Sequence, residues 1–435
     1  MIDFILSQRR SYFILLIWTI VGAFSINLGV VLVAGTFILF LLKGFEREML
    51  LGFFLMLILS DNYFLHYPGI VKPLLLVLLG IYILLRSEIR NEAMLIKSFI
   101  PFFIYTIMLW PLSDYLAIAV QKNAAYILLF FAIPPLFHHL YKRYDAKWIQ
   151  WLVYFLFAVL IFNFLYRFLQ PEAAYSHGGR LKAFFGNPNG LGMFCFFSLL
   201  FFEVAKRYFK IECPKYFVYF FYGLAAVLLV QTSSRASMFS ILIFYGFLFI
   251  SRFSTLIAFF SVIVLIITSQ FLVDPLVALL IDFGLGDTLR LNTEGAQSVA
   301  AGSGRLIAWN FAWEQIQANF FFGKAWGHEE ELFHSPAVKV FLNALNHEGG
   351  AHNVYLIFWM NTGLIGLLLF FGGFFSVFLR AIRKSELAMP ILIACLFLAF
   401  FEPWLAAALN PYTILLLMIL TSFLYCKPEP ERIET

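Results

Sequence analysis

The sequence predicts an all-α, polytopic integral membrane protein with about twelve to fourteen transmembrane helices and one long segment outside the bilayer. Three observations predict it. Of the 435 residues, 62% are apolar and only 13% charged, too little charge to cover a water-soluble chain of this length. Apolar runs of roughly 17–25 residues, the length that crosses about 30 Å of hydrocarbon as helix, recur from end to end. Basic clusters then divide those runs at intervals of one helical hairpin: Arg9/Arg10, Lys43/Arg47, Arg86/Arg90/Lys97, Lys142/Arg143/Lys147, Lys206/Arg207/Lys210/Lys215, Arg252, Arg380/Arg383/Lys384 and Lys427/Arg432. A transmembrane barrel is excluded, because its strands would alternate polar and apolar residues over about ten positions.

Placing every basic cluster in the cytoplasm puts both termini inside and makes the number of spans even. The expected spans are 12–25, 28–42, 48–60, 69–85, 98–111, 116–139, 148–168, 189–205, 216–231, 235–251, 254–272, 352–379, 387–401 and 404–425. The opening "SQRRSYFILL" is superficially like a twin-arginine signal. No small-residue cleavage site follows and more spans do, so it reads as an uncleaved first helix. The net charge of +5 therefore reflects membrane orientation rather than nucleic-acid binding. Cys195, Cys213, Cys395 and Cys426 are scattered without metal spacing or a disulfide framework. No internal repeat or low-complexity linker interrupts residues 1–435, which read as a single membrane domain.

The opposite face, periplasmic for a bacterial inner-membrane protein, receives the unusual features. It holds the turns "SDNYFLHYPG", "YSHGGRLKAFFGNPNG", "QTSSRAS" and "FEPWLAAALNP", and the long segment 274–351, with nine acidic residues against four basic ones. Within that segment, Leu306, Trp309, Ala312/Trp313, Ile316 and Phe320 recur at helical spacing. They predict an amphipathic helix from Ser303 to Gly323.

Among the basic residues on this face, Arg180, Arg235 and Arg305 run against the positive-inside bias. A guanidinium presents a planar donor fork that matches phosphate oxygens two at a time and stays charged. Arg235 and Arg305 also open expected helices, where backbone N–H groups and the helix dipole favour an anion. Snorkelling to a lipid headgroup, or pairing with an acid of the long segment, is the plainer alternative. His352 falls where the long segment re-enters the membrane as helix. A helix start disfavours imidazolium, so a pKa near the ordinary ~6.5 drifts down and leaves a neutral ring able to act as a general base. Asn353 is a candidate to hold that ring or contact a sugar, or else a simple helix cap. In "GNPNGLG", Asn187 and Asn189 can cap and Pro188 fixes the bend. Glu402 is a candidate base or arginine partner, or else an ordinary interfacial carboxylate, and Asp61 is similar. The run "NHEGGAH" does not form a zinc site: His347 and His352 are one residue too far apart for an i, i+4 pair, and Gly349 and Gly350 interrupt any helix.

"RLKAFFGNPNGLGMF", "QTSSRASMF", "GSGRLIAWNFAWEQIQANFFFGKAWG" and "AHNVYLIFWMNTGLIGLLLF" resemble successive signatures of the O-antigen ligase and polymerase superfamily, in that family's order, over roughly 180–380. The His-Asn-x-Tyr-Leu segment around His352, Asn353 and Tyr355, with its later Gly-x-x-Gly-Leu, is the most specific piece. In this sequence Ala351 and two glycines precede the His-Asn pair, where family members often carry a polar residue or histidine. The resemblance implies a membrane glycosyltransferase (GT-C-like) that needs no metal or other cofactor. Its donor would be an undecaprenyl-diphosphate-linked glycan and its acceptor a sugar hydroxyl of lipid A–core, on the periplasmic side of the inner membrane. It further implies that Arg235 and Arg305 hold the diphosphate and that His352 is the base. A polymerase with a second lipid-linked repeat as acceptor, or a protein O-oligosaccharyltransferase, would use the same chemistry. From another class, a lipid-linked sugar transporter would call for charges or broken helices at the bilayer midplane, and charges there are scarce.

Overall fold

A computed structural model describes residues 9–62, 64–176, 179–254, 305–344 and 349–427, together with residues 257, 260, 261 and 282. His347 and Glu348 lie outside the described residues, as does nearly all of the expected span 254–272. The main helices in chain order are α1 (Arg9–Phe24), α2 (Ile26–Lys43), α3 (Glu46–Leu59), α4 (Tyr67–Leu85), α5 (Ile100–Met108), α6 (Leu116–Tyr144), α7 (Ala146–Leu169), α8 (Pro188–Glu203), α9 (Lys215–Thr232), α10 (Arg235–Ile250), α11 (Arg305–Ala318), α12 (His328–His334), α13 (Val354–Ile382), α14 (Ala388–Phe401) and α15 (Pro411–Tyr425). Among the described residues there is no β-strand beyond one isolated bridge, Tyr175 to Leu181. Among the described residues, seven helices are long and apolar enough to cross a membrane, including α4, α6 and α13. The chain is a multi-pass, all-α membrane protein, and each expected span apart from 254–272 coincides with a described helix.

Two expected boundaries move, and both for local reasons. The last helix begins at Pro411 rather than near 404, because Asn410 is an extended N-cap whose Oδ1 accepts the Thr413 N–H at 2.8 Å. The long segment's helix ends at Ala318 instead of Gly323, and a turn runs on to Gly323 at φ +67°. Its buried stripe is Ala308, Ala312 and Ile316, while Leu306 and Trp313 are exposed. Small residues on that stripe let α11 lie close against α13, which a stripe of Leu and Trp would hold apart.

The described residues of Met1–Lys97, Ala125–Phe221 and Ala408–Thr435 form one compact unit, and those of Ser98–Ala124 and Tyr222–Ala407 form a second. In the first, α8 is the centre. Pro188 and Gly190 through Glu203 are all buried, and α15 packs along them. Asn187 caps α8, accepting the Gly190 N–H at 2.8 Å, and the fixed φ of Pro188 suits the first helical position.

In the second unit α10 packs along α14, and α13 is enclosed by α5, α11 and α14. Helix α13 is broken at Gly363, whose backbone sits at φ 64°, ψ −178°. The turn after α11 is spliced into the break. Met360 O accepts the Lys324 N–H at 3.3 Å, while the Leu364 and Ile365 N–H groups donate to Phe320 O at 2.9 Å and Phe321 O at 3.2 Å. Trp359 Nε1 adds a bond to Phe320 O at 2.9 Å, and the Tyr105 hydroxyl donates to Thr362 O at 3.0 Å. Unpaired amides inside a membrane protein cost several kcal/mol each, so this break persists because the turn supplies the missing partners. Contact is backbone on backbone: a Cβ on Gly323 would lie 2.5 Å from Gly363 N.

Candidate active site

Six of the candidate residues belong to the second unit: Arg235, Arg305, His352, Asn353, Tyr355 and Glu402. Arg305 is the first described residue of α11, and its Nη2 donates to Glu402 Oε1 at 2.8 Å. Glu402 is the C-cap of α14 and only 3% exposed. A carboxylate so deeply placed requires a paired cation, since an isolated buried charge is strongly unfavourable. Of the two roles the sequence left to Glu402, the structure shows the arginine partner. Arg235 is the first residue of α10, half-buried, after a turn in which Ser233 takes φ +46°. Its helix is the one that packs along α14, the helix that ends at Glu402.

The segment before α13 is tied to the same frame. One helical turn after Arg305, Trp309 donates its Nε1–H to Ala351 O at 2.8 Å and meets Phe400 edge-on at 5.1 Å. A chain of direct contacts thus runs from Glu402 through Arg305 and α11 to Trp309, and on to the peptide next to His352. The His352 backbone takes φ +47°, a left-handed conformation uncommon outside glycine that surrounding structure must enforce. Gly349 clears space for the ring: at φ +107°, a Cβ there would stand 2.9 Å from His352 Nε2.

Asn353 takes the plainer of its two expected roles, and Tyr355 packs one helix against another. Asn353 is 2% exposed, and its Oδ1 accepts the Tyr355 and Leu356 N–H groups at 2.9 and 3.1 Å, so it caps α13. The Tyr355 hydroxyl donates to Leu396 O at 3.0 Å and its ring stacks on Phe371, packing α13 against α14.

Arg180, Asn187 and Asn189 belong to the first unit. Arg180 Nη2 donates to Asn189 Oδ1 at 2.6 Å, and Asn187 is spent on the α8 cap. Asp61, in the turn after α3, sits against the start of α8: a Cβ on Gly190 would be 2.7 Å from Asp61 Oδ2. Burial raises the Asp61 pKa to about 7 from the ordinary 3.8, against the opposing pull of the Gly186 N–H and Lys72. A raised folded-state pKa means the native form binds the proton more tightly, so this group's share of stability is present below pH ~4 and is lost as pH rises through ~7. Asp61→Asn, which keeps an acceptor for Gly186, is expected to raise the melting temperature clearly at pH 8 and distinctly less at pH 5, where only part of the loss has occurred. Melting curves of the two purified proteins at both pH values check this, and parallel pH slopes would refute it.

Sequence reasoning missed two residues. Trp309 reads as one member of an apolar stripe, and Glu329 as one of three acids in "HEEEL". Glu329 is 9% exposed; burial pushes its carboxyl up to about 7, opposed by Lys122 and by a bond from the Ala351 N–H. A cavity of about 330 Å³ opens beside Leu112 and the Ala318–Lys324 turn. None of the candidate residues lines it, so volume alone does not mark the site.

Residues 220–371 match the family described as O-antigen ligase. The matched stretch contains Arg235, Arg305, His352, Asn353 and Tyr355, and it ends before Glu402. No curated protein matches the chain.

Proposed function

We propose, from the premise that through residues 220–371 this chain belongs to the O-antigen ligase and polymerase superfamily, that it transfers a glycan from undecaprenyl diphosphate to a sugar hydroxyl of lipid A–core on the periplasmic face of the bacterial inner membrane. The observation that carries this reading is the linked set of contacts that ties Arg305 and Glu402 to the peptide bearing His352. Arg235 and Arg305 present the fork that grips two phosphate oxygens at once. At the start of α10 the helix dipole adds to that attraction. Glu402 keeps the Arg305 guanidinium aimed without spending all five of its donors. Arg180, with one donor on Asn189, is assigned the same anion-binding role, and Asn187 and Asn189 shape the turn that carries it. Membrane lipids surround the donor's isoprenoid tail.

The reaction needs one proton moved and one bond exchanged. His352, neutral, takes the proton from the acceptor hydroxyl as its oxygen attacks the anomeric carbon. The bond from that carbon to the phosphate oxygen breaks in line, the configuration inverts, and undecaprenyl diphosphate leaves with the electron pair. Charge on the departing diphosphate grows toward the two arginines, so their hold strengthens in the transition state. The leaving group already stores the driving force, so this route asks for neither metal nor nucleotide.

The test uses purified protein with lipid-linked donor, lipid A–core and EDTA. Glycan appearing on lipid A–core is the expected outcome. Growth of the lipid-linked glycan instead would make the protein a polymerase, and no transfer to either acceptor would overturn the reading. Arg235→Lys retains the charge and removes the fork, and is expected to lower turnover by about tenfold to a hundredfold, the worth of one charge-assisted bond. Undiminished turnover would refute bidentate binding at that position.

A further inference from the structure

We propose that Glu329 is a positioning residue for His352, acting as a clamp on the peptide immediately before it. The Gly350–Ala351 backbone lies on the Glu329 carboxylate, whose ionised form the Ala351 N–H favours, while Ala351 O accepts from Trp309 at 2.8 Å. Both polar groups of one peptide segment are thereby held, one by α11 and one by α12. Ala351 itself is fully buried, and the chain passes so close over the carboxylate that a Cβ on Gly350 would lie 3.0 Å from Glu329 Oε1. The two glycines and the alanine that replace the family's polar neighbour thus have a shared physical reason. Only residues with little or no side chain let the backbone lie on Glu329 and leave room for the imidazole.

Glu329 is itself anchored. Its backbone N–H donates to Asn361 Oδ1 at 3.0 Å, fixing the start of α12 on α13. The neighbouring Glu330 forms an ion pair with Lys122 of α6. Lys122 also acts on the Glu329 carboxylate from α6, as Glu330 and His334 do from α12. A carboxylate held at both ends is suited to maintain a strained conformation, and His352 at φ +47° is such a conformation. Misplacing a general base by about 1 Å can lower a rate about a hundredfold without weakening substrate binding.

The catalytic half of this proposal rests on the transferase reading, while the clamp itself does not, and two measurements separate them. Hydrogen exchange of the full chain in nanodiscs reads the amides of residues 349–356 in the parent protein, Glu329→Ala and Glu329→Gln. Transfer kinetics on the same three proteins read kcat and the KM for lipid-linked donor. Glu329→Ala is expected to expose the Ala351 amide to faster exchange and to lower kcat at least tenfold with KM nearly constant. Glu329→Gln keeps an acceptor oxygen and is expected to recover most of both losses. Unchanged exchange in Glu329→Ala would overturn the clamp, and a Gln variant as impaired as the Ala variant would overturn the role of the acceptor. Absence of transfer in the parent protein would overturn the transferase reading, and exchange would still decide the clamp.

Discussion

Gly363→Ala is expected to detach the Phe320–Lys324 turn from α13 and to leave a protein that neither folds stably nor transfers glycan. The added Cβ would lie 2.1 Å from Phe321 O and 2.4 Å from Phe322 N, both backbone atoms with no rotamer by which to yield. At φ 64° the conformation also disfavours alanine, by roughly 1–2 kcal/mol. Separating the segments then breaks the Leu364 and Ile365 bonds to Phe320 O and Phe321 O, and each buried amide so orphaned costs roughly 1–3 kcal/mol. The sum is roughly 3–8 kcal/mol, a large part of the stability of an ordinary domain. Gly372→Ala supplies the control. It lies on the same helix, and a Cβ there meets nothing within 4 Å, so little change is expected. Thermal melting of the two variants in detergent makes the comparison, and equal melting temperatures would show that the spliced turn does not hold the fold.

Much of this architecture is written in local sequence. Hydropathy and basic punctuation mark the membrane helices because each is a property of about twenty consecutive residues. Asn187-Pro188 announces a helix start because a cap and its helix are neighbours in sequence. The break in α13 is a different kind of feature. "NTGLIG" shows a glycine, but the need for positive φ arises from a turn forty residues upstream, and no local pattern carries that. The face of α11 was legible in part. Hydrophobicity nominates Leu306 and Trp313 beside Ala312 and Ile316, whereas close helix packing keeps Ala312 and Ile316 and adds Ala308. Glu329 was hidden most completely. Among three consecutive acids it reads as a solvated run, and what distinguishes it is the Ala351 peptide lying on its carboxylate. Of the candidate residues, arginines out of place by the charge rule were legible because membrane topology makes them so. Asn353 was legible as a possible helix cap, since a cap is local, whereas the Tyr355 hydroxyl bond to Leu396 O emerges only from three dimensions.

Replacing His352 with glutamine is expected to lower transfer by about 10²–10⁴-fold, the usual worth of a general base, or roughly 2.7–5.5 kcal/mol of barrier. Donor affinity should survive, since the diphosphate is assigned to Arg235 and Arg305. The backbone offers a sharper version of the test. His352 occupies φ +47°, a region glycine enters without strain, so His352→Gly removes the ring while easing the conformation and leaves space where Gly349 faced Nε2. Imidazole added to that variant is expected to restore part of the rate, rising with pH as the added ring becomes neutral. With the native residue the same sign holds: a base works deprotonated, so turnover falls as pH is lowered. Parallel assays of the parent protein, His352→Gln and His352→Gly with and without imidazole decide the matter. A glutamine variant with full turnover would remove histidine from the chemistry and leave the arginines to explain the transfer through leaving-group stabilisation alone.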